Sequence, residues 1–266
     1  MKSLIALTMT VLLLASTESA AAEEKVERLY VIDCGDRTVT DLSPWTPGLN
    51  VGRPGDFVDT CYLLRHGGEW MVWDTGIADA VFAAPSKESN AWHRDTTLVS
   101  ELAKLGVAPA DVKYVAVSHS HPDHIGNVEL FPKATLLVQK AEYEWPNQDG
   151  SVRFLPSHPV KKLEGDYDVF GDGTVMLIAT PGHTPGHQSL LVKLPRNGSV
   201  LLSGDAVHLK DNWDARRVPS INFDKDKSAA SMQRLADLIA ETHAQLWINH
   251  DKPQAATMKR PPAFYD

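Results

Sequence analysis

The sequence predicts a layered α/β fold, and three features of the chain support this prediction. Short apolar runs typical of strands recur along the chain, from 28-RLYVID-33 to 245-QLWI-248. Two segments between them, 96–105 and 228–241, carry apolar residues at helical spacing. No low-complexity tract, obvious repeat or linker divides the sequence. Strands and helices mixed in this order favour sheets covered by helices.

Five strands and one helix are predicted in the first half of the chain. The strands cover 28–33, 60–65, 69–74, 113–118 and 134–139. Gly67 and Gly68 fit a hairpin turn between the second and third of them. The stretch 36–58 is rich in proline and glycine, so we expect an irregular loop there. Leucines at helical spacing define the helix 96–105, which Gly106 can terminate.

Four strands and a longer helix are predicted in the second half. The strands cover 175–179, 189–194, 199–203 and 245–248. The helix 228–241 presents its apolar residues on one side, namely Met232, Leu235, Leu238 and Ile239. A helix with one apolar side packs against a neighbouring layer, which agrees with the layered fold.

The first 22 residues have the parts of a secretory signal. Lys2 precedes a short apolar stretch, and Ala20 to Ala22 form a small-residue cleavage site. The apolar stretch is well short of the about 20 residues that a membrane-spanning helix needs. We therefore expect cleavage after Ala22, a single domain over 23–266, and no stable membrane insertion. The protein would then be exported, to the periplasm or the outside of the cell.

The composition narrows the class of partner. The chain is 43% hydrophobic and 23% charged, as is usual for a soluble globular protein. Its net charge of −8 and its lack of any basic run argue against nucleic acid. Cys34 and Cys61 are compatible with one disulfide in an oxidising compartment or with two buried thiols. The sequence leaves both options open.

Histidines and aspartates of the metal-binding type follow the ends of five predicted strands. The densest group lies in 118-SHSHPDHIGN-127, directly after the apolar run 114-YVAV-117. The other strand ends deliver single residues, namely Asp74, His183, Asp205 and His250. Side chains just beyond the ends of adjacent strands meet at one edge of a sheet, where α/β proteins build their sites. The sequence therefore predicts one site assembled from five segments.

The residue types indicate two divalent cations. Imidazole and carboxylate ligands suit zinc, iron, cobalt or manganese, and we expect zinc. Seven ligands are too many for one tetrahedral ion but fit two ions that share a carboxylate. Two ions roughly 3.5–4 Å apart lower the pKa of a water between them from about 15.7 towards about 7. Such a site is suited to hydrolysis.

The pattern HxHxDH with a distant His, Asp and His resembles the metallo-β-lactamase superfamily of binuclear hydrolases, over nearly the whole mature chain. The resemblance implies an αββα sandwich, in which two central sheets are covered by helices. It also implies ligands for two ions: His119, His121 and His183 for the first, Asp123, His124 and His250 for the second, and Asp205 as the bridge. Asp74 matches an aspartate that supports the ligand loops without binding metal.

Within the superfamily the chain looks most similar to the quorum-quenching N-acyl-homoserine lactonases. The similar stretches are 28-RLYVIDCG-35, 41-DLSPWTPG-48, 72-VWDTG-76, 118-SHSHPDHIGN-127 and 180-TPGHTPGHQSLLV-192. The resemblance implies ring opening of a lactone by a metal-bridging hydroxide, with Asp123 carrying the proton to the leaving oxygen. His208 stands where many such lactonases have a tyrosine. Its imidazole N–H can also donate a hydrogen bond; the alternative is a mere pocket wall.

Other readings of the same site remain. A thioesterase like glyoxalase II shares the seven ligands, but the export signal counts against its cytosolic substrate. Asp205 argues against a β-lactamase, since those enzymes usually carry a cysteine there. Organophosphate hydrolysis and non-catalytic zinc binding are the further alternatives. The sequence also leaves open whether 211–224 lines an acyl-chain pocket and whether 36–58 mediates a homodimer.

Overall fold

Two β-sheets form the centre of the protein in a computed structural model that describes residues 25–84, 86 and 88–266. The first sheet has six strands in the order β1 to β6: β1 Val26–Val39, β2 Gly55–His66, β3 Glu69–Trp73, β4 Val112–Ala116, β5 Thr135–Gln139 and β6 Val160–Leu163. The second has five, in the order β11-β10-β9-β8-β7: β7 Tyr167–Asp168, β8 Val175–Ala179, β9 Gln188–Leu194, β10 Gly198–Leu202 and β11 Gln245–Trp247. The predicted signal segment lies outside the described residues.

Helices cover the outer faces of both sheets. Their bounds are α1 Ala80–Ala83, α2 Leu98–Lys104, α3 Pro122–Ile125, α4 Lys140–Tyr143, α5 Lys210–Asp214, α6 Lys225–Thr242 and α7 Lys252–Ala255. The two longest begin at side-chain caps: Thr97 accepts from the Ser100 amide, and Asp224 accepts from the Lys227 amide. No described helix has the length and apolarity needed to cross a membrane.

Three apolar clusters show how the layers are held. One lies between the sheets and joins residues of both, such as Leu64 and Leu190. A second packs α2 on the outer face of the first sheet, with Leu98 and Leu102 fully buried. A third packs α6 on the second sheet through Met232 and Leu235. The order helix, sheet, sheet, helix confirms the αββα sandwich.

The predicted strands lie where the structure has strands, but the prediction of an irregular loop over all of 36–58 was wrong. Residues 36–39 continue β1 and residues 55–58 begin β2, so the irregular loop covers only 40–54. The two extensions pair with each other in the antiparallel ladder, where Val39 faces Gly55. The three prolines of this region lie at 44, 47 and 54, within the loop, and leave the flanks free to pair. The short strands β6 and β7 were not predicted.

Cys34 and Cys61 form a disulfide between β1 and β2. The bond closes a loop of 27 residues in sequence, which stabilises the fold by on the order of 3–4 kcal/mol in the chain-entropy account. It also packs against the loop after β3, because a Cβ on Gly76 would lie 2.5 Å from the Cys34 Cβ. Of the two options left by the sequence, the structure has the disulfide.

Candidate metal centre

The seven predicted ligand side chains meet at one edge of the two sheets. Parallel strands β3, β4 and β5 end at the same edge of the first sheet, and parallel β10 and β11 do so in the second. The loops after β4, β8, β10 and β11 carry the seven residues, called here the His–Asp cluster: His119, His121, Asp123, His124, His183, Asp205 and His250. Five are buried, whereas His121 and Asp123 are half-buried.

The loop after β4 brings its residues of the His–Asp cluster close together. Pro122 opens the short helix α3, so Asp123 and His124 come within one turn of His121. Gly126 ends the turn where it passes the loop after β3, and a Cβ there would lie 2.3 Å from the Ala78 nitrogen. Only glycine fits this approach.

The first group of ligand atoms contains three imidazole nitrogens. His121 Nδ1 lies 2.9 Å from His119 Nε2 and 3.0 Å from His183 Nε2. Asp205 Oδ2 completes the group, 3.3 Å from His183 Nε2 and 3.8 Å from His119 Nε2. Ligands at about 2.0–2.1 Å from one tetrahedral ion need separations of roughly this size.

The second group lies on the other side of the same carboxylate. Asp123 Oδ2 is 3.9 Å from both His124 Nε2 and His250 Nε2. Asp205 Oδ1 is 3.4 Å from His124 Nε2 and 3.0 Å from His250 Nε2. Asp205 therefore turns one oxygen to each group.

A hydrogen bond fixes the far nitrogen of four of the five histidines. The Nδ1 partners are Ser118 Oγ for His119 at 3.0 Å, Asp74 Oδ2 for His124 at 3.0 Å, Asn222 Oδ1 for His183 at 3.0 Å and the Val58 carbonyl for His250 at 2.7 Å. Each bond leaves Nε2 directed into the cluster. Partners of this kind set the tautomer and raise the basicity of metal-binding histidines.

Asp74 contacts the ligand loop rather than the centre of either group. Its Oδ1 accepts from the Ser118 amide at 2.6 Å and its Oδ2 from the Ser118 hydroxyl at 2.9 Å. The same Oδ2 reaches His124 Nδ1. The fully buried carboxylate thus links the loops after β3 and β4.

The histidines of the two groups have opposite pKa shifts. Burial, and then repulsion by neighbouring imidazoles, holds the pKa of His119 well below its usual value, and burial does the same for His183. Burial also opposes the charged forms of His124 and His250, but nearby carboxylates outweigh it and raise both pKa values. The surroundings of the first group thus disfavour the charged form of its imidazoles, whereas the carboxylates around the second group favour it.

The cluster fits a binuclear metal site. Burial alone would raise the pKa of Asp205, but His250, His208 and His124 hold it well below its usual range, so the carboxylate is ionised. Asp205 Oδ1 and His124 Nε2 are buried and have no hydrogen-bond partner. Such unpartnered atoms are costly unless a cation meets them. Imidazole and carboxylate donors without a thiolate suit zinc and similar divalent ions.

His208 and His187 both contact Asp205 without belonging to either group. His208 is buried, and its Nε2 lies 3.0 Å from Asp205 Oδ2. His187 accepts the Asp205 amide proton at Nε2 over 2.9 Å. Burial lowers the pKa of His187 to about 3, so it stays neutral for this bond. His187 is a support of the backbone.

Sequence reasoning missed Glu142, a buried carboxylate at the start of α4. It accepts from the Ser120 amide at 2.8 Å and from the Gly186 amide at 2.9 Å. A Cβ on Gly186 would lie 2.3 Å from the Glu142 nitrogen, so this approach requires glycine. Glu142 ties together the loops that carry His121 and His183. No local motif distinguishes it, because its partners are distant in sequence.

A cavity of about 300 Å³ opens over the cluster. Its lining includes His208 and four residues named here the cavity wall: Arg37, Trp45, Trp92 and Ile221. Trp45 comes from the loop 40–54, and Ile221 comes from the stretch 211–224, of which residues up to 214 are helical. Both segments left open by the sequence thus contribute to the cavity.

The fold and the cluster define the class of the protein. Residues 54–242 match the family described as the metallo-beta-lactamase superfamily. The chain belongs to this superfamily, which confirms the resemblance seen in the sequence.

Within the superfamily, similar proteins are lactonases. An N-acyl homoserine lactonase of Bacillus sp. is 32% identical, covering 90% of this chain and 99% of the relative. The N-acyl homoserine lactonase AttM of Agrobacterium fabrum is 39% identical, over 77% and 86%. A crystal structure of a quorum-quenching N-acyl homoserine lactone lactonase superposes with a TM-score of 0.81 at 31% identity, over 90% and 98%. Another, with N-hexanoyl-L-homoserine bound at its catalytic metal centre, gives 0.79 at 30%, over 90% and 99%.

Proposed function

We propose that this protein is a metal-dependent hydrolase that opens the lactone ring of N-acyl-homoserine lactones. The observation that carries the proposal is Asp205, whose two oxygens face two separate groups of metal-type ligands. The relatives that share this chain over most of its length are lactonases for the same compounds. Neither a thioesterase nor a β-lactamase is favoured by these similarities.

The ligand roles in the proposal follow the two groups. His119, His121 and His183 would hold one ion and Asp123, His124 and His250 the other, with Asp205 between them. We propose zinc for both, because the donor set suits it. Two such ions, when bound, supply a Lewis acid for the ester carbonyl and a nucleophile from water at neutral pH.

Asp123 is the residue proposed to move the proton. It is half-buried and faces the cavity. Burial would raise its pKa, but His124 and His250 keep it below the usual value, so the carboxylate begins as an ionised acceptor. It takes a proton from the attacking water and gives it to the ring oxygen as the acyl carbon–oxygen bond breaks. The product carries one carboxylate and one hydroxyl, and one proton is released to solution.

His208 is proposed to donate a hydrogen bond to the substrate carbonyl. Its Nε2 lies in the cavity beside Asp205, and its Nδ1 has no partner. The position is therefore close enough to the ligand groups to touch a bound ester. We also propose export through the segment 1–22, which agrees with a disulfide in the mature chain.

The test follows ring opening by proton release with the chain from residue 23 onward, loaded with zinc. Short- and long-chain N-acyl-homoserine lactones are compared with a cephalosporin and a glutathione thioester. We expect fast opening of the lactones and slow reaction of the other two. Slow lactone opening with rapid thioester or β-lactam hydrolysis would overturn the substrate class and leave the metal centre standing.

A further inference from the structure

Arg37 is a cation of the cavity wall that the proposed reaction does not use. It is half-buried on β1, and the register of the ladder sets it opposite Phe57 on β2. Its guanidinium carbon lies 4.4 Å from the ring centre of Trp92, 5.4 Å from Trp45 and 5.5 Å from Phe57. Aromatic faces hold a guanidinium through its charge and leave its N–H donors unused.

The guanidinium of Arg37 has hydrogen-bond donors that no acceptor of the protein meets. Arg37 Nε is buried and has no hydrogen-bond partner. Burial lowers the pKa of Arg37, while Asp123, Asp205 and Asp59 favour its charged form. Nε itself is closed off, but the half-buried side chain lines the cavity, and its terminal nitrogens make no hydrogen bond or ion pair with the described residues. These terminal donors can therefore meet an acceptor that enters the cavity.

The surroundings of Arg37 limit the kind of acceptor. Trp92 and Phe57 also pack against His250, with ring centres 5.7 and 5.9 Å away. One aromatic ring therefore lies between Arg37 and His250 of the His–Asp cluster. The rest of the cavity wall, Trp45, Trp92 and Ile221, is apolar. One donor group in an otherwise apolar wall suits one carbonyl oxygen on an otherwise apolar substituent.

We propose that Arg37 is a specificity-determining residue that donates a hydrogen bond to the amide carbonyl oxygen of the substrate's acyl group. The inference rests on the proposed function. In an acylated homoserine lactone the amide is attached to the carbon next to the attacked carbonyl. With that carbonyl at the cluster, the amide oxygen falls towards the cavity wall and the acyl chain runs along the tryptophans.

The experiment crosses an arginine variant with a pair of substrates. Arg37→Met keeps an apolar stem between the rings and removes every donor. The substrates are N-hexanoyl-homoserine lactone and an α-alkyl-γ-butyrolactone of equal chain length without the amide. Arg53→Met is the matched control, because Arg53 is exposed on the loop 40–54 that follows β1 and does not line the cavity.

We expect Arg37→Met to lower kcat/KM for the amide substrate about tenfold to a hundredfold, as loss of a charged hydrogen bond does. The amide-free lactone should change less than about threefold. For the amide substrate, Arg37→Lys should have a kcat/KM between those of the wild type and Arg37→Met, since lysine keeps the charge but lacks the planar fork. Arg53→Met should match the wild type on both substrates, and all variants should retain the metal content and melting temperature of the wild type.

Two results would overturn the inference. Equal losses on both substrates would make Arg37 a support for the wall, and no loss on either would remove it from substrate binding. These outcomes differ from failure of the proposed function, in which the wild type does not open the N-acyl-homoserine lactone.

Discussion

The cavity has a floor, which is the His–Asp cluster, and the cavity wall above it, and the two are built in opposite ways. In the His–Asp cluster, four histidines have a second nitrogen fixed by a protein acceptor or hydroxyl. The cavity wall is held by contacts with aromatic rings, and the buried Nε of Arg37 has no hydrogen-bond partner. Residues held by directional hydrogen bonds keep the geometry that one reaction needs. A wall with few such bonds can accept other side chains without disturbing that geometry. The floor should therefore set the chemistry and the wall the choice of substrate.

Asp205→Ala gives the largest effect expected from the floor. The change removes both oxygens that face the two ligand groups. We expect kcat/KM to fall more than about a thousandfold for every lactone, since electrostatic stabilisation at the reaction centre is lost. Metal content should fall as well, measured by mass spectrometry of the purified protein. Asp211→Ala, which changes an exposed carboxylate nearby, should match the wild type.

A variant that kept its metal and lost activity on only some lactones would break the comparison. It would mean that the floor also selects substrates.

Asp74→Asn tests whether the floor depends on its supports. Asparagine can accept one of the Ser118 bonds, but its amide N–H then faces donors at Ser118 or His124. We expect a loss of about tenfold to a hundredfold in metal affinity and activity, as for other partners of ligand histidines. Titration of the metal-free protein with zinc measures the first quantity. Unchanged zinc affinity would show that the ligand loops hold their positions without this carboxylate.

His208 lies on the boundary between floor and wall. If it donates to the substrate carbonyl, His208→Ala should lower kcat by about tenfold or more. His208→Gln, which restores an N–H donor, should recover part of the rate at unchanged metal content. Near-normal turnover in the alanine variant would place His208 in the wall.

Much of the floor was predictable from the sequence and little of the wall was. His119, His121, Asp123 and His124 lie within six residues after an apolar strand, and strand ends converge by the geometry of sheets. Arg37 carries no local signal, because its partners come from 45, 57 and 92. Its position also depends on β1 continuing through a region predicted to be a loop. Glu142 was missed for the same reason, since its contacts join segments more than 20 residues apart.

Asp59 gives the smallest expected effect and concerns stability. It is fully buried beside the floor, its Oδ2 has no partner, and burial raises its pKa to about 7. Between about pH 3.8 and 7 the folded protein keeps a proton that the unfolded chain releases. Stability from this group therefore falls as pH rises through that window and is level above it.

Asp59→Asn removes this dependence. In the metal-free protein, we expect the variant to gain stability over the wild type as pH rises from 5 to 8. A gain of 1 kcal/mol corresponds to about 2–4 °C in Tm for a chain of this size. Differential scanning calorimetry at both pH values measures it. A constant difference between the two proteins would mean that Asp59 titrates normally.

The disulfide between β1 and β2 has a consequence for the direction in which side chains point. The ladder shifts register between Asp33 and Gly35, so Cys34 is an extra residue at a bulge, and beyond it Arg37 faces Phe57. A single insertion or deletion reverses the faces of a strand. The covalent bond holds the strand in this phase. Deleting Asp36, which lies beyond the bulge, would place Arg37 opposite Val58 and turn it away from the cavity without altering any residue of the wall, so strand length is a route by which relatives could change substrates.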